Sequence, residues 1–293
     1  MPMRNPCSLR FHKRSCDGSP LSSSVSARTA PLAVLHSEHV WGTVVSFDVR
    51  DRAFGSASEE SIRDAIEQAC SWLHEVDRVF STFREDSLVT AIRRGDSAEQ
   101  MTDDFNARDR DLLADVLDAC DRCAQLTDGA FDAWRLPGGF DPSGYVKGWA
   151  ADIAAEILSK SGLSHFMIDA GGDIVCRGGE SPTEPWHIGI RHPDKPMDIM
   201  ANVTVQDGSV ATSGIYERGQ HVFNPASGDF TTAARAATVI GPDAGIADAV
   251  ATALIVQGVA LMPMVQDLPG GLAEWSALVV VGDAVTSIGD AFS

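Results

Sequence analysis

The sequence predicts an α+β fold, a single domain with helices and strands layered around one extended core. Three observations carry this. Helical periods and β-branched runs are intermixed, without the regular strand–helix–strand alternation of a parallel sheet. The texture changes near Gly162, from mainly helical to strands and turns. Beyond residue 33 no internal repeat or low-complexity linker divides the chain, and its hydrophobic share of 44% and charged share of 22% are ordinary for a globular protein.

Residues 1–33 read as a disordered tail ahead of a domain over residues 34–293. Residues 1–32 hold seven serines, four prolines and five basic side chains against one acid, with almost no apolar run. Such a segment buries too little surface to offset the entropy of ordering it. A β-branched, partly alternating run predicts a strand over 39–49. Ser58 is placed to cap a helix ending near Phe80, because Ile62, Ile66, Ala69, Leu73, Val76 and Phe80 recur at helical spacing. A turn over 80–86 follows. Helical spacing again predicts 108–126, stopped by Gly129, and 146–161, ended by Gly162. Strands are expected at 165–169, 173–177, 186–191, 200–206, 221–223 and 236–241. A helix over 246–257 and a short one near 261–267 precede a closing hairpin, 278–281 with 285–288, around Gly282-Asp283.

The formal net charge is −18, and the basic tail leaves −22 on the rest. This excludes a nucleic-acid surface, where Lys and Arg make most phosphate contacts. A phosphate-bearing ligand would need another source of positive charge, and a divalent cation is the natural one. No apolar run is expected to span a membrane and no secretory signal is apparent, so a cytoplasmic protein is expected. Of the six cysteines, Cys120 and Cys123 form a C-x-x-C. Both fall on the apolar side of a helix and no second pair is suitably spaced, so packing is the expectation rather than a metal or redox role.

Five short constellations carry candidate chemistry. Asp248 and Thr252 are four apart on a helix and share a face, offering two hard oxygens that suit Mg²⁺. The plainer alternative is an Asp near a helix N-terminus and a Thr that packs. Asp141-Pro142-Ser143-Gly144 leads from a glycine-rich turn into a helix, with Lys147 in its opening turns. It suits an anion, and equally an ordinary capped start. Gly129-Ala130-Phe131-Asp132 and Asp169-Ala170-Gly171-Gly172-Asp173 read as tight turns or as ligand-approach segments. His221, in His221-Val222-Phe223-Asn224-Pro225, is a candidate base or a structural histidine.

Individually weak, these elements stand in a specific order: Lys147-Gly148, Gly171-Gly172-Asp173, Thr212-Ser213-Gly214, His221 to Pro225, and Asp248-Ala249-Val250-Ala251-Thr252. In that order they resemble the flavin transferase family, the ApbE-type FAD:protein FMN transferases, over roughly residues 40–258. The resemblance implies an α+β fold that binds FAD and Mg²⁺. It implies transfer of the FMN part to a Ser or Thr hydroxyl of an acceptor flavoprotein, with release of AMP. Carried over by position, Asp248 and Thr252 are implied as side-chain Mg²⁺ ligands and Gly144 as a backbone ligand. Trp41, Phe83, Ala130, Phe131, Asp132, Asp141 and Lys147 are implied FAD contacts, Lys147 near the pyrophosphate. His221 is implied to lie close to the reacting phosphate and to be the base, with Lys147 as the catalytic cation.

Three departures stand out. The stretch between Asp132 and Asp141 is shorter than in the longer members. Trp41 and Phe83 replace a typical Met and a typical Tyr. Asn224 stands where Asp is common. No departure removes an implied metal ligand. Two other readings of the same site are a Mg²⁺-dependent FAD pyrophosphatase and a non-catalytic FAD-binding protein.

Overall fold

The computed structural model describes residues 33–97, 105–214, 222–230 and 233–292. Residues 1–32 of the expected tail and His221 therefore lie outside the described residues. The fold is the expected α+β arrangement, built on an eight-stranded sheet in the order β1-β2-β3-β4-β7-β10-β11-β12, every neighbouring pair antiparallel.

The expected strand over 39–49 is instead part of a hairpin, β1 (Val34–Val40) and β2 (Thr43–Val49). The chain reverses at Trp41-Gly42, where φ is 56° and 70°. Two positive φ values give the two-residue turn whose twist matches its flanking strands. Trp41 continues the strand-like texture, so only Gly42 marks the turn.

Helix α1 (Glu59–Phe80) is capped by Ser58, which accepts from the Ser61 N–H at 3.1 Å, and buries the predicted stripe. A short helix, α2 (Leu88–Arg94), was not expected. Ser87 caps it and Gly95 closes it in the left-handed region. Helix α3 (Ala107–Leu126) opens with a reciprocal cap between Asn106 and Asp109. Cys120 and Cys123 are buried on it as packing residues, and burial pushes the Cys123 thiol up to about 12. Helix α4 (Ser143–Lys160) starts three residues earlier than its apolar period, directly after Pro142.

Strands β3 (Phe166–Ala170) and β4 (Ile174–Arg177) follow, then the separate pair β5 (Trp186–His192) and β6 (Lys195–Val205). β7 (Gly208–Gly214) lies inside the sheet between β4 and β10, though its small polar sequence does not read as a strand. β8 (Phe223–Asn224) and β9 (Asp229–Phe230) form a small pair. β10 (Ala236–Gly241) leads to helix α5 (Ala244–Gln257), a 3-10 helix at Gly258–Asp267, and the hairpin of β11 (Ser276–Val281) and β12 (Ala284–Ile288).

Residues Ala244–Asp267 are, contrary to expectation, long and apolar enough to cross a membrane, but 72% of their most apolar 18-residue stretch is buried inside the fold. A helix apolar on all sides is a core helix when neighbours cover it. Alanines let α4 and α5 pack closely, and Gly148 sets the limit. A Cβ there would lie 2.1 Å from the Ala244 carbonyl oxygen.

Candidate functional site

The α4–α5 contact places the implied metal residues together. The N-terminus of α5 is fixed twice: Asp243 accepts from the Ile246 N–H at 2.8 Å, and Asp152 of α4 accepts from the Ala244 N–H at 2.5 Å. One turn further on stands Asp248, 3% exposed. Its Oδ2 is buried with no hydrogen-bond partner. Burial, the first cause, and then the nearby Asp173 charge push its carboxyl up to about 7, against Lys147 and the Gly148 N–H, which favour the ionised form.

Thr252 lies four residues along the same face, its Oγ1 3.2 Å from the Ser213 Oγ of β7. Gly144 of α4 faces it: a Cβ at Gly144 would meet Thr252 Oγ1 at 3.2 Å and the Phe131 ring at 3.3 Å. Thr252, Ser213 and the backbone at Gly144 thus lie together, with Asp248 one turn back on the same face of α5. A buried, unpartnered carboxylate oxygen among hard oxygens fits a Mg²⁺-class cation. Such an ion would supply the charge that Asp248 lacks.

Lys147 approaches from α4. Its Nζ is 2.7 Å from Oδ2 of Asp173, which is 1% exposed. The Gly171-Gly172 turn carries Asp173 to this point, with Asp169 Oδ1 accepting the Gly172 N–H at 2.8 Å. Burial raises the Asp169 carboxyl. The implied FAD cation is therefore committed to a buried carboxylate, so it meets a ligand as part of an ion pair.

The Gly171 turn also touches the β1–β2 turn, since a Cβ there would lie 2.9 Å from Thr43 Oγ1. Beyond it opens a cleft of about 720 Å³ lined by Trp41, Phe83, His39, His74, Asp77 and Arg84, among others. Phe83 is 84% exposed. Trp41 and Phe83, 42 positions apart, thus share one wall, and two aromatic rings beside an open cleft suit a planar ring system.

The segment 130–141 lies beside Gly144, its Phe131 ring 3.3 Å from where a Cβ there would stand. Ala130 and Phe131 are buried. Asp132 accepts from the Trp134 N–H at 2.9 Å and Asp141 from the Ser143 N–H at 3.0 Å. The Asp141 N–H donates to the Ala133 carbonyl at 2.8 Å, closing a short loop. Both carboxylates hold turns in place.

The sequence reading missed two partners: Asp173 for Lys147 and Ser213 for Thr252. Each stands in a motif it singled out, so the residue types were visible and the pairings were not.

The fold and this cluster define a class: an α+β protein with a buried, oxygen-rich cluster and an open cleft lined by aromatic residues. The sequence model of the ApbE family matches residues 41–137 and 134–274, and the chain belongs to that family. It is 33% identical over 128 residues to the FAD:protein FMN transferase of Klebsiella pneumoniae and 30% identical over 128 residues to that of Vibrio cholerae. These alignments cover 40% of this chain and 37% and 38% of the relatives, so the matched stretch spans just over a third of their length. Among solved structures, the flavin transferase ApbE from Vibrio cholerae aligns with a TM-score of 0.67 at 21% identity, covering 87% of this chain and 96% of that one. The ApbE protein from Thermotoga maritima aligns with a TM-score of 0.68 at 24% identity and the same coverage. These likenesses establish the fold.

Proposed function

We propose that this chain transfers the FMN part of FAD to a Ser or Thr hydroxyl of an acceptor flavoprotein, releasing AMP, in a Mg²⁺-dependent reaction. The observation that carries the reading is the buried, unpartnered Asp248 Oδ2, one helical turn from the Thr252 that faces Gly144. Family membership and the names of the relatives support it.

Asp248, Thr252 and the Gly144 backbone would hold the ion. When bound, Mg²⁺ supplies positive charge that offsets the pyrophosphate and the charge developing on the leaving AMP. The chain's own residues do the rest. The Gly148 N–H favours the ionised form of Asp248. Asp173 holds the Lys147 ammonium next to Asp248, where it adds a second positive charge for the phosphate oxygens. Trp41 and Phe83, which line the cleft, would pack against the flavin ring. His221 takes the proton from the acceptor hydroxyl as the oxygen–phosphorus bond forms and the bond to the AMP oxygen breaks.

The exposed Phe83 leaves the cleft open to water, which favours FAD hydrolysis as a second reading. Chromatography of FAD with the protein, with and without Mg²⁺ and a Ser/Thr-containing acceptor, separates the two. The transferase reading expects AMP together with an FMN-sized mass gain on the acceptor, both lost in Asp248→Ala. AMP and free FMN in equal amounts with an unmodified acceptor would establish hydrolysis instead. FAD bound unchanged in Mg²⁺ would overturn both.

A further inference from the structure

Strand β1 is an edge of the sheet, and helix α1 packs beside it. His36 and Glu38, two apart on β1, share a strand face. Cys70 and His74, four apart on α1, share a helix face. The fold sets these faces against each other. His74 Nε2 is 2.9 Å from Glu38 Oε1, and His36 Nε2 is 3.3 Å from Glu38 Oε2. The ligand atoms of His36, Glu38 and Cys70 all lie within 4.8 Å of one another, the one such group of three or more among the described residues. Cys70 is only 8% exposed, while both histidines and Glu38 reach solvent, so an entry path exists.

We propose that His36, Glu38, Cys70 and His74 form a second metal site, specific for a borderline transition-metal cation of the Zn²⁺ class and separate from the Asp248 cluster.

The donor set is the argument. Two imidazoles, a carboxylate and a thiol match Zn²⁺ chemistry in type and number. Metal–nitrogen bonds of about 2.0–2.1 Å and metal–sulfur bonds of about 2.3 Å draw tetrahedral ligands to roughly 3.3–3.8 Å apart, so His36, Glu38 and Cys70, now within 4.8 Å of one another, would close by about an ångström, and His74 would swing in from its hydrogen bond to Glu38. The thiol would lose its proton to solvent on binding, and the thiolate and carboxylate together would neutralise the dication. Without metal, burial pushes the Cys70 thiol up to about 12, while hydrogen bonding to His74, the first cause, lowers Glu38. The carboxylate hydrogen-bonded between two imidazoles keeps three ligands pointed inward. Sulfur and nitrogen ligands reject Mg²⁺, so the two sites would not compete for the same ion. His74 also lines the aromatic cleft, so the ion would sit in its wall and clamp the edge strand to α1.

The test is titration of the full chain with Zn²⁺ and with Co²⁺ as a coloured stand-in. One equivalent of Co²⁺ should give a thiolate-to-cobalt charge-transfer band and the intense visible bands of four-coordinate cobalt. Excess Mg²⁺ should change neither. Cys70→Ser should abolish the charge-transfer band and weaken Zn²⁺ about 100-fold or more, beyond the effect of losing a ligand's supporting hydrogen bond. Asp248→Ala and the tail variant Cys7→Ser/Cys16→Ser should keep the band. If Cys70→Ser does not fold, His36→Ala and Glu38→Gln at half-buried positions serve, each expected to weaken Zn²⁺ at least about tenfold. No charge-transfer band in the wild type, a band that survives Cys70→Ser, Mg²⁺ displacing the cobalt, or unchanged Zn²⁺ affinity in His36→Ala and Glu38→Gln would each overturn the proposal.

Discussion

Two buried aspartates sit in opposite states. Asp51, in the turn after β2, is 0% exposed and its carboxylate accepts from the Ser164 N–H at 2.9 Å, Ser164 Oγ at 3.1 Å, the His165 N–H at 2.9 Å and Ser56 Oγ at 3.3 Å. Asp248 is almost as buried, yet its Oδ2 has no hydrogen-bond partner. Burial is the same and satisfaction is not. A saturated carboxylate joins two chain segments, whereas a buried unsatisfied one is a standing cost that a cation removes. The Asp51 carboxylate ties the turn after β2 to the segment before β3, whereas Asp248 leaves one oxygen unsatisfied at the α4–α5 contact.

The comparison breaks most sharply on substitution. Asp248→Ala should reduce FMN transfer about 10³-fold or more, the scale of several kcal/mol of lost charge stabilisation. The metal-free melting temperature should hold or rise, because an unsatisfied group is gone. Asp51→Ala should do the reverse. Stranding buried donors at Ser164 and His165 should cost about 3 kcal/mol, a fall in Tm of roughly 6–12 °C, with activity per folded molecule unchanged. A large loss of Tm in Asp248→Ala, or of specific activity in Asp51→Ala, would erase the distinction.

Gly148→Ala probes the contact that makes the site. The new methyl would sit 2.1 Å from the Ala244 carbonyl, so α4 and α5 must separate, costing about 1–3 kcal/mol. The shift also moves the Gly148 N–H away from Asp248. Thermal melts and Mg²⁺ titration should therefore both weaken, and a change in one alone would separate packing from binding.

The acidity of Asp248 sharpens the comparison. Its folded carboxyl is raised, so the folded state keeps a proton that the unfolded state releases. Its contribution to stability is full below the unfolded value of about 4 and is lost as pH rises toward about 7. In chelator, wild-type Tm relative to Asp248→Asn should fall across that window, and saturating Mg²⁺ should flatten the difference. Parallel curves in chelator would show that Asp248 titrates normally.

The smallest effect is expected at the open cleft. Phe83→Ala should change stability by less than about 0.5 kcal/mol, because the ring is 84% exposed. It should raise the KM for FAD roughly 2–10-fold, the worth of one aromatic contact. An unchanged KM would remove Phe83 from the flavin site.

Much of this was legible in the sequence, for local reasons. The stripe of α1, the Ser58 cap and the Asp248–Thr252 spacing follow from 3.6 residues per turn. β7 was not legible, because Gly208, Ser209, Thr212 and Ser213 form a strand only when β4 and β10 flank them. The start of α4 was obscured because Ser143 and Gly144 precede its apolar period.

By itself, then, the sequence determined the helical faces, the motif order and with it the family, since periodicity and short motifs are properties of neighbouring residues. Only the tertiary structure decided which buried carboxylate is satisfied and which is not. Asp51 finds its donors 113 and 114 positions away, Lys147 its carboxylate 26 away and Thr252 its hydroxyl partner 39 away. It likewise brought two residues of β1 against two of α1. Hydrogen-bond satisfaction and metal-ligand geometry depend on pairs of groups a few ångströms apart, and for residues this distant along the chain, folding alone creates those pairs.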